Sequence, residues 1–218
     1  MKLILVRHGE TASNRDGLGL GRQDVPLTEK GRLQAQALAD ALAGEEIAAV
    51  YSSPLRRAFE TAAAIAAPHG LDVVDDEGLT EMDVGELDGL TFREMRERHP
   101  EFVSRWLGDE AGTLAMPGGE SLQDVQSRAA EAARRICERH EGETAVAVTH
   151  NFVIHALLCE ALNMSLCDFR RLRHDLAATS LLDVRGGRMI VVQMNDTCHL
   201  EARGLTDAQP WPLPRADA

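Results

Sequence analysis

The chain has 218 residues, 44% apolar, 27% charged and 4% aromatic, with a formal net charge of −12. That is enough chain for one large domain or a domain with an inserted cap, and the composition excludes intrinsic disorder and a collagen-like repeat. The acidic balance disfavours nucleic acid and anionic lipid as partners. Lys2–Val6 reads as a short buried strand ended by Arg7-His8-Gly9. Residues 9–27 carry Gly9, Gly17, Gly19, Gly21 and Pro26 and read as a loop. Thr28 can cap a helix on which Leu33, Ala37, Leu38, Ala41 and Leu42 recur at helical spacing, up to Gly44. Ile47–Tyr51 is a second strand, and Leu55–Ala67 an Ala-rich helix closed by Pro68 and Gly70.

Val73-Val74 is a short third strand, followed by the acidic, Gly-punctuated stretch 75–90. Thr91–Trp106 reads as two short helices broken at Pro100. Ser121-Leu122-Gln123-Asp124 resembles a capping box opening a helix to about His140. Thr144–Val148 is a strand and Phe152–Leu162 a helix. Ser180–Val184 and Met189–Met194 flank Gly186-Gly187, a two-residue hairpin signal. Strands alternating with helices predict an α/β three-layer sandwich, with a mainly parallel central sheet and helices on both faces. Residues 1–205 would form one domain, with a small cap at about 82–120 and a loose tail over 206–218.

No apolar run approaches the ~18 residues of a membrane span, and the apolar stretch in MKLILVRHGE is too short for a signal peptide. Cys137, Cys159, Cys167 and Cys198 show neither CxxC nor zinc spacing. They read as reduced thiols of a cytoplasmic protein, and no metal or cofactor is expected.

In α/β sheets ligands bind at the carboxyl ends of the strands. His8 and Arg7 stand there after the first strand, and His150 after Thr144–Val148. Arg56 and Arg57 open the helix after the second strand, and adjacent helical positions diverge by ~100°, so one of them faces inward. A lone His at a strand end is ordinarily a structural hydrogen-bonding residue. Two His with two Arg in one pocket instead demand an anion, and a phosphoryl group matches the planar fork of Arg.

These residues carry a resemblance. Arg7-His8-Gly9-Glu10-Thr11-Ala12-Ser13-Asn14 resembles the RHGETxxN signature of the histidine phosphatase superfamily, the phosphoglycerate mutase-like proteins. In order follow Leu27-Thr28-Glu29-Lys30-Gly31, Ser52-Ser53-Pro54-Leu55-Arg56-Arg57-Ala58, Leu79-Thr80-Glu81 with Gly85-Glu86-Leu87-Asp88-Gly89, Gly118-Gly119-Glu120-Ser121 and Val148-Thr149-His150. The resemblance implies that His8 accepts a phosphoryl group, that Arg7, Arg57 and His150 hold its oxygens, and that Glu81 is the general acid and base. Gly9, Asn14, Gln23 and Asn151 would assist in binding substrate. Asn151 stands where many members have Gly; its tolerance of positive φ would suit that position.

The implied activity is metal-independent hydrolysis of a small phosphorylated metabolite through phosphohistidine. The alternatives are a phosphoglycerate mutase and a non-catalytic phosphate-binding relative. The stretch Gly89–Pro100 is short and mixed in charge, like the phosphatase branch; Arg93, Arg96 and Arg98 read as a solvated helix face. Cys167 and Arg173 match a bare Cys-x5-Arg spacing but lack the glycines of a phosphate loop. The Arg170, Arg171, Arg173, His174 cluster reads as a solvated helix face. The substrate is left open, as is the oligomeric state, a homodimer included.

Overall fold

The computed structural model describes residues 1–206, so the tail expected over 206–218 lies, from residue 207 on, outside the described residues. In chain order the elements are β1 (Lys2–Arg7), α1 (Ala12–Arg15), α2 (Glu29–Leu42), β2 (Ile47–Ser52), α3 (Arg56–Ala66) and β3 (Val73–Asp75). Then come α4 (Phe92–Arg98), α5 (Pro100–Leu107), α6 (Leu122–Arg139), β4 (Thr144–Thr149) and α7 (Asn151–Ala161). The chain closes with β5 (Thr179–Arg185), β6 (Arg188–Asp196) and α8 (Cys198–Glu201).

The strands form one mixed sheet in the order β3-β2-β4-β1-β5-β6. β3, β2, β4 and β1 run parallel, β5 runs antiparallel to β1, and β6 runs antiparallel to β5. β1 is buried on both faces. Its Leu3 and Leu5 join Ala145, Ala147, Leu122, Val125 and Leu157 in a core beneath α6 and α7. Ile4 and Val6 join Val50, Val146, Leu38, Ala62 and Ile65 beneath α2 and α3. A parallel strand covered by helices on both sides reads as a continuous apolar run for this reason.

Local chemistry sets the boundaries. Thr28 accepts from the Gly31 N–H at 3.0 Å and starts α2. Ser121 and Asp124 make both bonds of the expected capping box on α6. Pro100 starts α5 at its first position, where its missing N–H costs nothing. Gly186 and Gly187, at φ 54° and 77°, form the left-handed hairpin turn between β5 and β6. The loop read over 9–27 contains one extra element, the four-residue α1, capped by Thr11 and Asn14.

Within the segment 82–120, Met82, Leu87, Trp106 and Met116 pack into the core beneath α6 and α7. Phe102 stacks on Trp106, and Trp106 meets Phe152 and Phe169 at centroid distances of 6.3 and 5.8 Å.

The basic cluster at 170–174 is a solvated face only in part: Arg171 and Arg173 are exposed, whereas Arg170 and His174 pack inward. Residues Leu166–Arg171 form a 3-10 helix, and the Arg170 guanidinium lies over the Trp106 and Phe169 rings, 5.1 and 4.5 Å from their centroids. His174 is buried and meets Ser180 Oγ at 2.9 Å. An amphipathic Arg stem and a neutral imidazole both bury once partners satisfy them, which a count of charges does not reveal.

Candidate functional site

The sheet register brings the strand ends together. Arg7 on β1 pairs with Thr149 on β4, and Ser52 on β2 pairs with Val148. The His8 N–H donates to Thr149 O at 3.1 Å and the Ser53 N–H to Val148 O at 3.0 Å. His8, Ser53 and His150 therefore leave three neighbouring strands at one level, the place where α/β sheets bind ligands.

His8 is 3% exposed, and its Nδ1 lies 2.7 Å from Gly9 O. A carbonyl only accepts, so Nδ1 carries the proton and Nε2 keeps its lone pair. Burial, then Arg57 and Arg7, hold the His8 pKa well below its ordinary value, so the ring is neutral. Gly9 lets this loop approach α2: a Cβ on Gly9 would run into the Gly31 carbonyl. The Gly9 N–H itself is donated to Thr61 Oγ1 at 3.2 Å.

His150 is fully buried, its ring centroid 5.1 Å from that of His8. Its Nε2 meets Ser53 Oγ at 2.7 Å. Burial and Arg57 keep it neutral as well. Arg57, fully buried on α3, donates to Gln23 O and Gly21 O, each at 2.8 Å. Burial lowers it to about 10, against the raising effect of Glu81, Asp88 and Asp24, so it stays charged at neutral pH. Its neighbour Arg56 points outward and pairs with Glu60, as the helical divergence predicted. Among the described residues, Arg57 Nε and His150 Nδ1 are buried with no hydrogen-bond partner. Two orphaned nitrogens beside a neutral imidazole form the half-built shell of an anion site.

Glu81 is 4% exposed and accepts from the Met82 N–H at 2.8 Å and the Phe152 N–H at 3.4 Å. Burial raises its pKa above the usual carboxyl value, opposed by those N–H groups and by Arg57. Arg128 on α6 holds the strap that carries it, donating to the carbonyls of Gly78, Thr80 and Glu81 and pairing with Glu120 at 3.0 Å.

A cavity of about 330 Å³ opens over these groups, lined by Arg7, His8, Glu10, Asn14, Arg15, Glu81, Asn151, Phe152 and Asp175 among others. Arg57 and His150 lie outside this lining. Gln23 also lies outside it: its side chain is exposed, and its backbone carbonyl serves Arg57. The Asn14 Oδ1 is taken by the Thr11 cap. Asn151 opens α7 with His150 as its cap and needs no left-handed backbone, so the φ argument does not apply to it. Asp88 accepts from the Gly21 and Gln23 N–H groups, and Asp83 from Gly85.

Arg128 and His155 went unseen in the sequence, and His174 was read only as part of the basic cluster. No spacing marks Arg128, which acts through main-chain carbonyls 47 to 50 residues away. The bare Cys167–Arg173 spacing builds nothing: Cys167 Sγ donates to Asp109 O and Arg173 pairs with Asp175. Among the described residues no group of His, Cys, Asp and Glu is placed to hold a metal ion, and no helix is long and apolar enough to cross a membrane.

Comparison with known proteins follows the same lines. The profile of the histidine phosphatase superfamily (branch 1) matches residues 3–197. Phosphoserine phosphatase 1 of Hydrogenobacter thermophilus is 36% identical over 200 residues, covering 92% of this chain and 94% of that protein. A metal-independent phosphoserine phosphatase of Arabidopsis thaliana is 34% identical over 208 residues, covering 93% and 84%. The structure of a phosphoserine phosphatase from Entamoeba histolytica in complex with phosphoserine superposes with a TM-score of 0.84 at 30% identity, covering 91% of this chain and 98% of that one.

Proposed function

Since the chain belongs to the histidine phosphatase superfamily, branch 1, we propose that His8 is its nucleophile and Glu81 its proton carrier. The chain is a phosphatase of small phosphorylated metabolites, and the relatives' names put phosphoserine at the head of the substrates to test. The observation that carries the residue assignment is the pairing of a neutral His8, its Nε2 lone pair free of the Nδ1–Gly9 bond, with the orphaned Arg57 Nε and His150 Nδ1.

In the first step His8 Nε2 attacks phosphorus, and the ester P–O bond breaks. Glu81, whose pKa burial raises, gives its proton to the leaving alkoxide oxygen. In the second step the ionised Glu81 takes a proton from water, whose oxygen attacks phosphorus and breaks the P–N bond. Inorganic phosphate leaves, and both side chains return to their starting states. Arg7, Arg57 and His150 meet the charge on the equatorial oxygens of the loose transition state. His150 suits this role in the tautomer whose Nε2 accepts from Ser53 Oγ, which leaves the hydrogen on Nδ1.

The cap supports hydrolysis over mutase chemistry. Its Arg93 and Arg98 pair with Glu97 and Glu94 on exposed surface, and no cap Arg lines the cavity to hold a second phosphate. Phosphate release from phosphoserine, 3-phosphoglycerate and p-nitrophenyl phosphate, with EDTA present, tests the proposal. Release that EDTA does not slow, with no interconversion of 2- and 3-phosphoglycerate, is the expected result. Release that requires added metal overturns it.

A further inference from the structure

We propose that Asn151 selects esters whose leaving group carries a hydrogen-bond donor one carbon beyond the ester carbon, an ammonium or a hydroxyl, and that His155 positions the Asn151 amide for that contact. The inference rests on the hydrolase reading above and deepens it.

Asn151 is 8% exposed and lines the cavity next to Phe152, whose N–H lies 3.4 Å from the Glu81 carboxyl group. Glu81 is the group that serves the leaving oxygen, so Asn151 stands on the leaving-group side. One helical turn along α7, His155 is 1% exposed, with Nδ1 3.5 Å from Asn151 Nδ2. Among the described residues the Asn151 Oδ1 is buried with no partner. A buried acceptor left unbonded is costly, and such a group in a folded protein calls for a reason. A donor on the substrate is that reason.

His155 decides which end of the amide meets the substrate. Burial, with Arg7 nearby, lowers its pKa to about 3, so the ring is neutral at working pH and can offer a lone pair at Nδ1. With that lone pair taken by Nδ2–H, the amide oxygen of Asn151 is the end left unpaired, and in the proposal it is the end that meets the substrate donor. Neither His155 nor the Asn151 amide has any part in the phosphoryl-transfer steps, so selection and chemistry are separable.

Three esters differing in a single substituent test this. Phosphoserine, 3-phosphoglycerate and 3-phosphooxypropanoate carry an ammonium, a hydroxyl and a hydrogen at the same carbon. The expected wild-type kcat/KM is at least ten-fold higher for the first two than for the third. Asn151→Leu, similar in volume but with no acceptor, reduces that ratio at least five-fold. Asn151→Asp raises phosphoserine over 3-phosphoglycerate, because a carboxylate favours the ammonium. His155→Leu lowers the ratio, and His155→Gln, which again offers an acceptor, restores it; a merely structural role for His155 would move stability and leave the ratio alone. Each ratio is taken within one variant, so a reduced folded fraction cancels. Equal rates on all three esters in the wild type, or an unaltered ratio in Asn151→Leu, overturn the inference and leave the hydrolase reading standing. No phosphate from these esters or from p-nitrophenyl phosphate overturns both.

Discussion

His8 and His150 face each other across two adjacent parallel strands, ring centroids 5.1 Å apart, both buried and both neutral. Their uncharged state allows the pair to exist: two imidazolium rings at this distance beside Arg57 would repel strongly in a medium that screens little. A phosphate dianion entering the pocket reverses the sign of the local field. It can then draw donor hydrogens from nitrogens that would otherwise stay unpaired.

Replacing His8 with Ala is expected to abolish turnover while the fold persists. The variant loses the acceptor nitrogen, and the lost packing is limited because the ring borders a cavity. Phosphate release falls below detection, and circular dichroism with a thermal midpoint close to wild type confirms folding. Retained release would remove His8 from the nucleophile role.

Glu81→Gln is expected to slow alkyl phosphates by 10²-fold or more and p-nitrophenyl phosphate far less, since only a poor leaving group needs the proton. The pH dependence follows the same logic. The first step needs protonated Glu81, so its rate falls as pH rises through the raised pKa of that group. In the Gln variant the alkyl ester loses this limb. Equal slowing of both ester classes would argue against Glu81 as the leaving-group acid.

Acid should destabilise the fold earlier than its carboxylates alone would dictate. His8 and His150 are held well below 6.5, and His155 and His174 at about 3, chiefly by burial. The unfolded chain binds protons at these rings near pH 6.5 and the folded chain does not. Stability is therefore complete above pH 6.5 and is lost as pH falls toward the depressed values, at up to about 1.4 kcal/mol per pH unit for each ring. Glu81 has the opposite sign: its raised pKa contributes stability below 4.5 that disappears as pH rises through the raised value. Guanidinium midpoints at pH 7.5 and 5.5 measure the slope, and His174→Gln should flatten it. A midpoint that does not move between those pH values contradicts the account.

Arg170→Ala is expected to cost about 1–2 kcal/mol, combining loss of the stacking on Trp106 and Phe169 with loss of the 2.7 Å bond to Trp106 O. Denaturant unfolding with Trp fluorescence reports both stability and the surroundings of Trp106. Wild-type stability with unshifted emission would show that the contact contributes nothing.

The parts legible in the sequence were those where one local rule speaks. Leu3–Val6 followed by Arg7-His8-Gly9 marks a buried strand running into a site. Ser121 with Asp124 marks a helix start, and Gly186-Gly187 a hairpin. The illegible parts depend on what a side chain meets far along the chain. Arg128 reaches the Glu81 strap through carbonyl oxygens, which carry no sequence signature. His174 was counted as a surface charge because it follows three arginines nearby in sequence, yet the turn before β5 folds it under Ser180. Gln23 was named as a binding side chain, and it is its main-chain oxygen that reaches Arg57.

The aromatic contact between α5 and the 3-10 helix at Leu166–Arg171 bears on how such an enzyme could be re-engineered. Trp106 comes from the cap, but Phe169 and Arg170 that grip it come from beyond α7, and Phe152 joins both to the cavity wall. A chimera that transplants residues 82–120 alone would set a foreign segment on an unmatched seat. The portable unit for changing leaving-group preference is two stretches of chain, moved as a pair.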